Sequence, residues 1–297
     1  MTAMGSRRSI FPVFSAMAGL LTYLMIVCVT GLLFWIADGK TAGTQYFWTI
    51  DADIPSEYIT RNFSPTHITV ILLSLILATA ALLLFRRQKE PSREVILRAL
   101  VLFMAASEAA DWIWYILIGH YSLRNCLPLH LCSISIFIEL AAVFLRRNTL
   151  LKEFVYALSM PAALFALATP GWAYPLISFQ YLQSLTNHLL LALVPALIVS
   201  GNGFRPDYRR LPKCFLSLLF LAGIAAAANY LLGSNYMFLS YVPKDTTLQV
   251  FEIWFGHPGY IFLEAGLIMI IWAILYLPWI VSAAKRKRSL KEGGGEE

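Results

Sequence analysis

The sequence predicts an all-α protein: a polytopic transmembrane helix bundle of about eight spans, with both termini on the cytoplasmic side. Three observations carry that reading. The chain is 59% hydrophobic and only 13% charged, with a mean hydropathy of +0.67, whereas soluble domains are roughly 25% charged. Apolar runs of about eighteen residues or more recur along it, each long enough to cross a hydrocarbon core of about 30 Å. If every run crosses, eighteen of the 23 Lys and Arg residues fall on one side, and positive residues stay cytoplasmic. The spans must be helices, because lipid offers no partner to open backbone groups.

The first run, 10–36, follows Arg7 and Arg8. It is longer than the roughly 7–15 apolar residues of a cleaved signal and has no convincing cleavage site, so 1–37 reads as an uncleaved signal-anchor helix. Residues 38–65 form an outer loop. A seven-helix core bundle, 66–283, then contains runs at 66–85, 95–118, 128–145, 152–170, 178–200, 212–232 and 259–283. The fourth and fifth of the eight runs are separated only by a short turn at Arg146, Arg147 and Asn148. Residues 284–297 make a basic cytoplasmic tail whose KRKRSLK stretch suits anionic lipid. The net charge of +6 thus belongs to topology, and nucleic acid is not an expected partner. The expected location is the cell membrane, in multi-pass form.

All five histidines fall on the opposite, outer side, and other polar residues gather there. His67 starts the second run. Glu108 lies near mid-depth in the third, with Asp111 one turn further out on the same helix face. His130 and Cys132 open the fourth run, Asn187 and His188 lie about halfway into the sixth, and Asn229 ends the seventh. Glu264 sits about one turn into the eighth. Ionisable groups inside a bilayer are costly and normally face a bundle interior or wet cavity, so a polar cavity in the outer half is expected. Glu139 reads as an interhelical contact, Pro161 and Pro195 as tolerated kinks, and Trp48, Trp172 and Tyr241 as an aromatic belt. His67, His130 and His188 with either carboxylate are zinc-type ligands, but no compact HxxxH or HExxH pair supports a metal, and no cofactor is expected. A nucleophile is available in Cys132, Ser133, Ser135 or Thr66. Cys132 and His130, two apart, point to different sides of a helix, so His188 is the better base for Cys132.

The strings FSPTH (63–67), YSLRNCLPLHLCSI (121–134), TNH (186–188) and GSNYMFL (233–239) resemble the YwaF-type family of bacterial integral membrane proteins, over about 62–282. That family is similar, at a distance, to an animal transmembrane acyltransferase that remodels ether phospholipids through a cysteine and a histidine. More remotely it resembles intramembrane lipid hydrolases that use a threonine and a histidine. The resemblance implies a membrane phospholipid or other acyl lipid as substrate and gives His188 the histidine role. The animal cysteine immediately precedes the histidine that matches His130, and here that position is Leu129. The nucleophile is therefore Cys132 or a hydroxyl, or the chemistry is not acyl transfer.

The expected activity is a membrane-embedded lipid acyltransferase or hydrolase. His188, Cys132, His130, Glu108 and Asp111 are the candidate catalytic residues. His67, Arg124, Asn187, Asn229, Asn235 and Tyr236 are the candidate substrate-binding residues, the asparagines as donors to a developing oxyanion. A transporter or small-molecule-binding protein using the same cavity, and a scaffold with a purely structural polar cluster, are the alternatives.

Overall fold

The computed structural model describes residues 44–172, 174–201, 203–243, 246 and 248–293. The expected signal-anchor at 10–36, with Cys28, lies outside the described residues, as do 294–297. Among the described residues the regular structure is helical throughout. It comprises α1 (Pro65–Arg86), α2 (Glu90–Leu117), α3 (Leu131–Phe144), α4 (Thr149–Ala168), α5 (Phe179–Gly201), α6 (Leu211–Leu232) and α7 (Leu248–Gly293). Among the described residues six helices are long and apolar enough to cross a membrane, the exception being the shorter apolar α3. At fourteen residues, α3 spans about 21 Å at 1.5 Å per residue.

Local chemistry sets these boundaries. Ser64 caps α1, its hydroxyl accepting from His67 N, and Pro65 occupies the first turn, where a missing N–H costs nothing. Asn148 ends the short turn after α3, its Oδ1 accepting from Leu150 N at 3.1 Å and Leu151 N at 3.2 Å. Gly233, at φ +63°, closes α6 in the left-handed conformation. α4 contains a π-helical stretch, Val155–Ser159. Pro161 follows, and a proline frees the carbonyl four residues earlier. That carbonyl, Ala157 O, accepts from Trp272 Nε1 of α7 at 2.8 Å. α7 breaks at Gly256 and His257 before its long span.

α5 lies at the centre and packs against α1, α2, α3 and α4. Its Leu190, Leu191, Val194, Leu197 and Ile198 interlock with Val101 and Met104 of α2 and Ile136 of α3. In lipid such packing, rather than water exclusion, holds helices together. α6 and α7 expose Phe220, Leu216, Phe262, Ile270 and Ile274, a lipid-facing surface that water would not tolerate at this extent.

The connecting segments sort into two ends. At the basic end, Arg93 Nη1 donates to Gly201 O at 2.8 Å and Arg146 pairs with Glu90 and Glu94. Arg210 meets the buried Glu153 at 2.9 Å. A Cβ at Gly201 would stand 2.6 Å from the Phe85 ring, so the ring would have to shift. Arg98, anomalous within an apolar run, reaches back to Glu94 at 3.8 Å. At the histidine end, the 44–64 segment lies over the α4–α5 connection: Thr60 N donates to Tyr174 O at 3.1 Å and Phe179 N to Phe47 O at 2.9 Å. Trp48 packs on Phe179 and Tyr46 on Tyr58.

Candidate functional site

The site grows from one face of α5. Gln180, Gln183, Ser184, Asn187 and His188 recur at three- and four-residue steps, which aligns them as a polar stripe. Opposite stand Glu108 and Asp111 from α2 and Cys132 and Ser133 from α3. With Ile136 and Leu191 they line a cavity of about 130 Å³, room for a few waters at about 30 Å³ each. Its floor is apolar, continuing into Met104, Leu190 and Val194.

The two carboxylates are held by neutral donors. Asn187 Nδ2 donates to Glu108 Oε2 at 3.4 Å, and Ser133 and Gln183 also hydrogen-bond that carboxylate. Gln180 Nε2 donates to Asp111 Oδ1. Among the described residues neither acid has an ion-pair partner. Asn187 is buried and its Oδ1 meets no donor. An unpaired polar atom beside a cavity that holds two acids favours a polar ligand there.

His188 is fixed for one task. Its Nδ1 lies 2.7 Å from Ser184 O, and a carbonyl only accepts. Nδ1 therefore carries the proton of the neutral ring, and Nε2 keeps the lone pair. Trp172 packs on the imidazole at 4.8 Å between centroids, the rings tilted by 31°.

The structure thus brings together Glu108, Asp111, Cys132, Asn187 and His188. Four of the other sequence candidates, His130, Asn229, Asn235 and Tyr236, converge elsewhere, on a clasp at the histidine end. Asn229 Oδ1 accepts from Tyr236 N at 2.7 Å and Ser234 Oγ at 2.9 Å, and its Nδ2 donates to Tyr236 O. Tyr236 Oη accepts from Leu127 N at 2.9 Å and donates to Leu123 O at 2.7 Å. His130, the N-cap of α3, accepts from Met237 N at 3.3 Å and sits between the rings of Tyr236 and Phe238. Met237 and Phe238 both take positive φ of 54°, a costly conformation for these side chains that the clasp over-determines. Asn235 braces the following turn through Ser240 N and Tyr241 O.

His67 has both nitrogens engaged, Nδ1 accepting from Phe63 N at 2.9 Å and Nε2 donating to Leu167 O at 3.1 Å. It ties α1 to the end of α4. Arg124 is exposed on the connection before α3. Cys126 and Cys132 are free thiols, and burial pushes the Cys126 thiol above its ordinary value. Glu139 is fully buried with neither oxygen partnered. Among the described residues no group of three or more His, Cys, Asp or Glu is arranged to hold a metal ion.

Gln180, Gln183 and Ser184 escaped sequence reasoning, although their spacing with Asn187 and His188 was a readable polar stripe in an apolar run. No curated protein and no solved structure matches the chain. The model of the TMEM164 family matches residues 62–276, from just before α1 to well inside α7. That match takes in every wall of the cavity and covers well over half of the sequence, so this multi-pass membrane protein belongs to the TMEM164 family.

Proposed function

We propose that this protein is a membrane-embedded lipid acyltransferase or hydrolase that works through the α2–α3–α5 cavity. The observation that carries the reading is His188, with its Nε2 lone pair free, lining the same intramembrane cavity as Cys132 and Ser133. The likeness to YwaF-type proteins and, more distantly, to an animal ether-phospholipid acyltransferase supports the same class. In the proposed orientation both termini are cytoplasmic and about eight spans cross the cell membrane. The cavity then opens toward the outer leaflet, and anionic lipid meets the basic tail at the inner one.

In the proposed reaction, His188 Nε2 takes the proton from Cys132 Sγ and the thiolate adds to the ester carbonyl of a lipid. The carboxamide N–H groups of Asn187, Gln180 or Gln183 donate to the oxyanion. Collapse breaks the ester bond, and His188 returns its proton to the departing alkoxide. The thioester then passes its acyl group to a second alcohol or to water, whose proton goes to His188. Glu108 and Asp111 orient the amides and stabilise the imidazolium.

The test is turnover of labelled phospholipid by purified protein in vesicles, reading both transferred acyl groups and released fatty acid. His188→Ala is expected to lower turnover by about 10²-fold or more, and Cys132→Ala to abolish thioester formation. Cys28→Ala and Cys214→Ala should keep wild-type turnover. Turnover that survives His188→Ala overturns the reading. If only Cys132→Ala survives, the nucleophile becomes Ser133.

A second reading, binding or transport of a cation or polar solute, draws on the two acids and the unpartnered Asn187 Oδ1. It predicts saturable solute binding that Asp111→Asn removes, without any ester turnover in the wild-type protein.

A further inference from the structure

A second, larger cavity lies on the other face of α5. It measures about 290 Å³, near the lower bound of about 300 Å³ for small-molecule pockets. Its three walls are helix faces. From α1, His67, Val70, Ile71, Ser74, Leu75, Ala78, Thr79 and Leu82 line it at regular three- and four-residue steps. α4 contributes Met160, Leu164 and Leu167, and α5 contributes Leu185, Leu189, Ala192 and Ala196. The α1 face runs about 22 Å from His67 to Leu82 at 1.5 Å per residue. That exceeds the roughly 15 Å that one leaflet contributes to the hydrocarbon core.

Polar chemistry is concentrated at one end. There Trp172 and His67 close the slot. Trp172 also packs on His188, so a single indole touches both the slot and the proposed base. Trp172 Nε1 is buried and has no acceptor, although a buried indole N–H normally finds one. The rest of the slot is apolar apart from Ser74 and Thr79, whose hydroxyls donate to carbonyls of α1 itself, and the small residues Ala78, Ala192 and Ala196 leave its room.

We propose that this slot between α1, α4 and α5 is the binding site for a single fatty acyl chain of the lipid substrate, with Trp172 receiving its ester end and Ala192 and Ala196 setting its length. The inference rests on the acyl-transfer reading of the polar cavity and adds the substrate subsite. The chain enters at the histidine end with its methyl terminus toward Leu82 and Ala196. The ester carbonyl accepts from Trp172 Nε1 and stands beside His188. A polar solute gains nothing from such a slot, whereas a hydrocarbon chain entering from the bilayer gains van der Waals packing along its whole length.

The experiment measures chain-length preference and bound lipid together. Turnover of phospholipids with ten- and eighteen-carbon chains is compared in vesicles, and lipid adducts are read by native mass spectrometry. Ala192→Phe and Ala196→Leu shorten the slot and are expected to raise the short-to-long turnover ratio at least tenfold and to remove long-chain adducts. Leu75→Ala, on a side chain already 62% exposed, widens it and should shift preference toward longer chains even if the filling variants fold poorly. An unchanged ratio in all three, with turnover still lost in His188→Ala, overturns the slot and leaves the polar site standing. If the wild-type protein turns over no ester, the adducts decide. Long-chain adducts lost in Ala192→Phe but kept in His188→Ala support the slot without the chemistry. Adducts unchanged in Ala192→Phe overturn it.

Discussion

Tyr236 shows how a single hydroxyl can hold two connections together. It bonds Leu127 N and Leu123 O, while Asn229 secures its own backbone on both sides. Tyr236→Phe removes both hydroxyl bonds and leaves a backbone donor and an acceptor partly buried. The expected cost is about 1–3 kcal/mol, seen as a midpoint lowered by a few degrees in detergent. Ester turnover at permissive temperature should survive, because Tyr236 does not line the His188 cavity. Lost turnover with an unchanged midpoint would instead move Tyr236 into the site. This residue also shows what the sequence could tell. Glu108, Asp111, Asn187 and His188 stood out because ionisable and amide groups inside apolar runs are conspicuous. Depth along a run was legible, but rotation about each helix axis was not. His67, His130, Asn229 and Asn235 share the depth of the cavity residues or lie just beyond it, yet their side chains tie the bundle end together. Gln180, Gln183 and Ser184 were overlooked because each, taken singly, is an ordinary polar residue near a helix start.

At the scale of elements, the π-helical stretch in α4 is tied to α7 by the Tyr156 hydroxyl, which donates to Leu275 O and accepts from Trp279 Nε1, and by one bond to the carbonyl that Pro161 leaves free. Pro161 cannot donate to Ala157 O, and Trp272 Nε1 does so from α7. Trp272→Phe keeps most of the ring and deletes the donor, so it should destabilise by about 1–3 kcal/mol. Pro161→Ala supplies a main-chain N–H able to take over the same carbonyl. The double variant is therefore expected to lose less stability than the two single changes summed, a coupling of about 0.5 kcal/mol or more. Strict additivity in thermal or denaturant melts would show that the proline and the indole act independently. The sequence marked Pro161 as a tolerated kink, but what relieves it lies more than a hundred residues away and could not be seen in one dimension. The runs themselves were plain from hydropathy. The seven expected runs of 66–283 each meet a helix in the structure, with α3 short because Arg146, Arg147 and Asn148 end it so soon after His130.

At the scale of the whole molecule, the question is which way the bundle faces. The hydrogen bonds and ion pairs gather 86–93, 146–153 and 201–210 at one end, and 60–67, 123–130, 167–174 and 229–241 at the other. The first group holds Arg86, Arg87, Arg93, Arg146, Arg147, Arg205, Arg209 and Arg210, and short loops this rich in arginine are retained in the cytoplasm. Leu123 and Arg209 are exposed, one at each end. Leu123→Cys should react with a membrane-impermeant maleimide in intact cells, and Arg209→Cys only after permeabilisation, with the wild-type protein giving the background of its native thiols. The reverse pattern would put the basic end outside and turn the proposed site toward the inner leaflet. Labelling of both positions in intact cells would break the alternation, since the two ends could not then lie across one membrane. The expected pattern puts His188 and the ester end of the slot in the outer half of the bilayer. A phospholipid of that leaflet could then reach both without its head group crossing the hydrocarbon core, where a charged group costs at least a few kcal/mol.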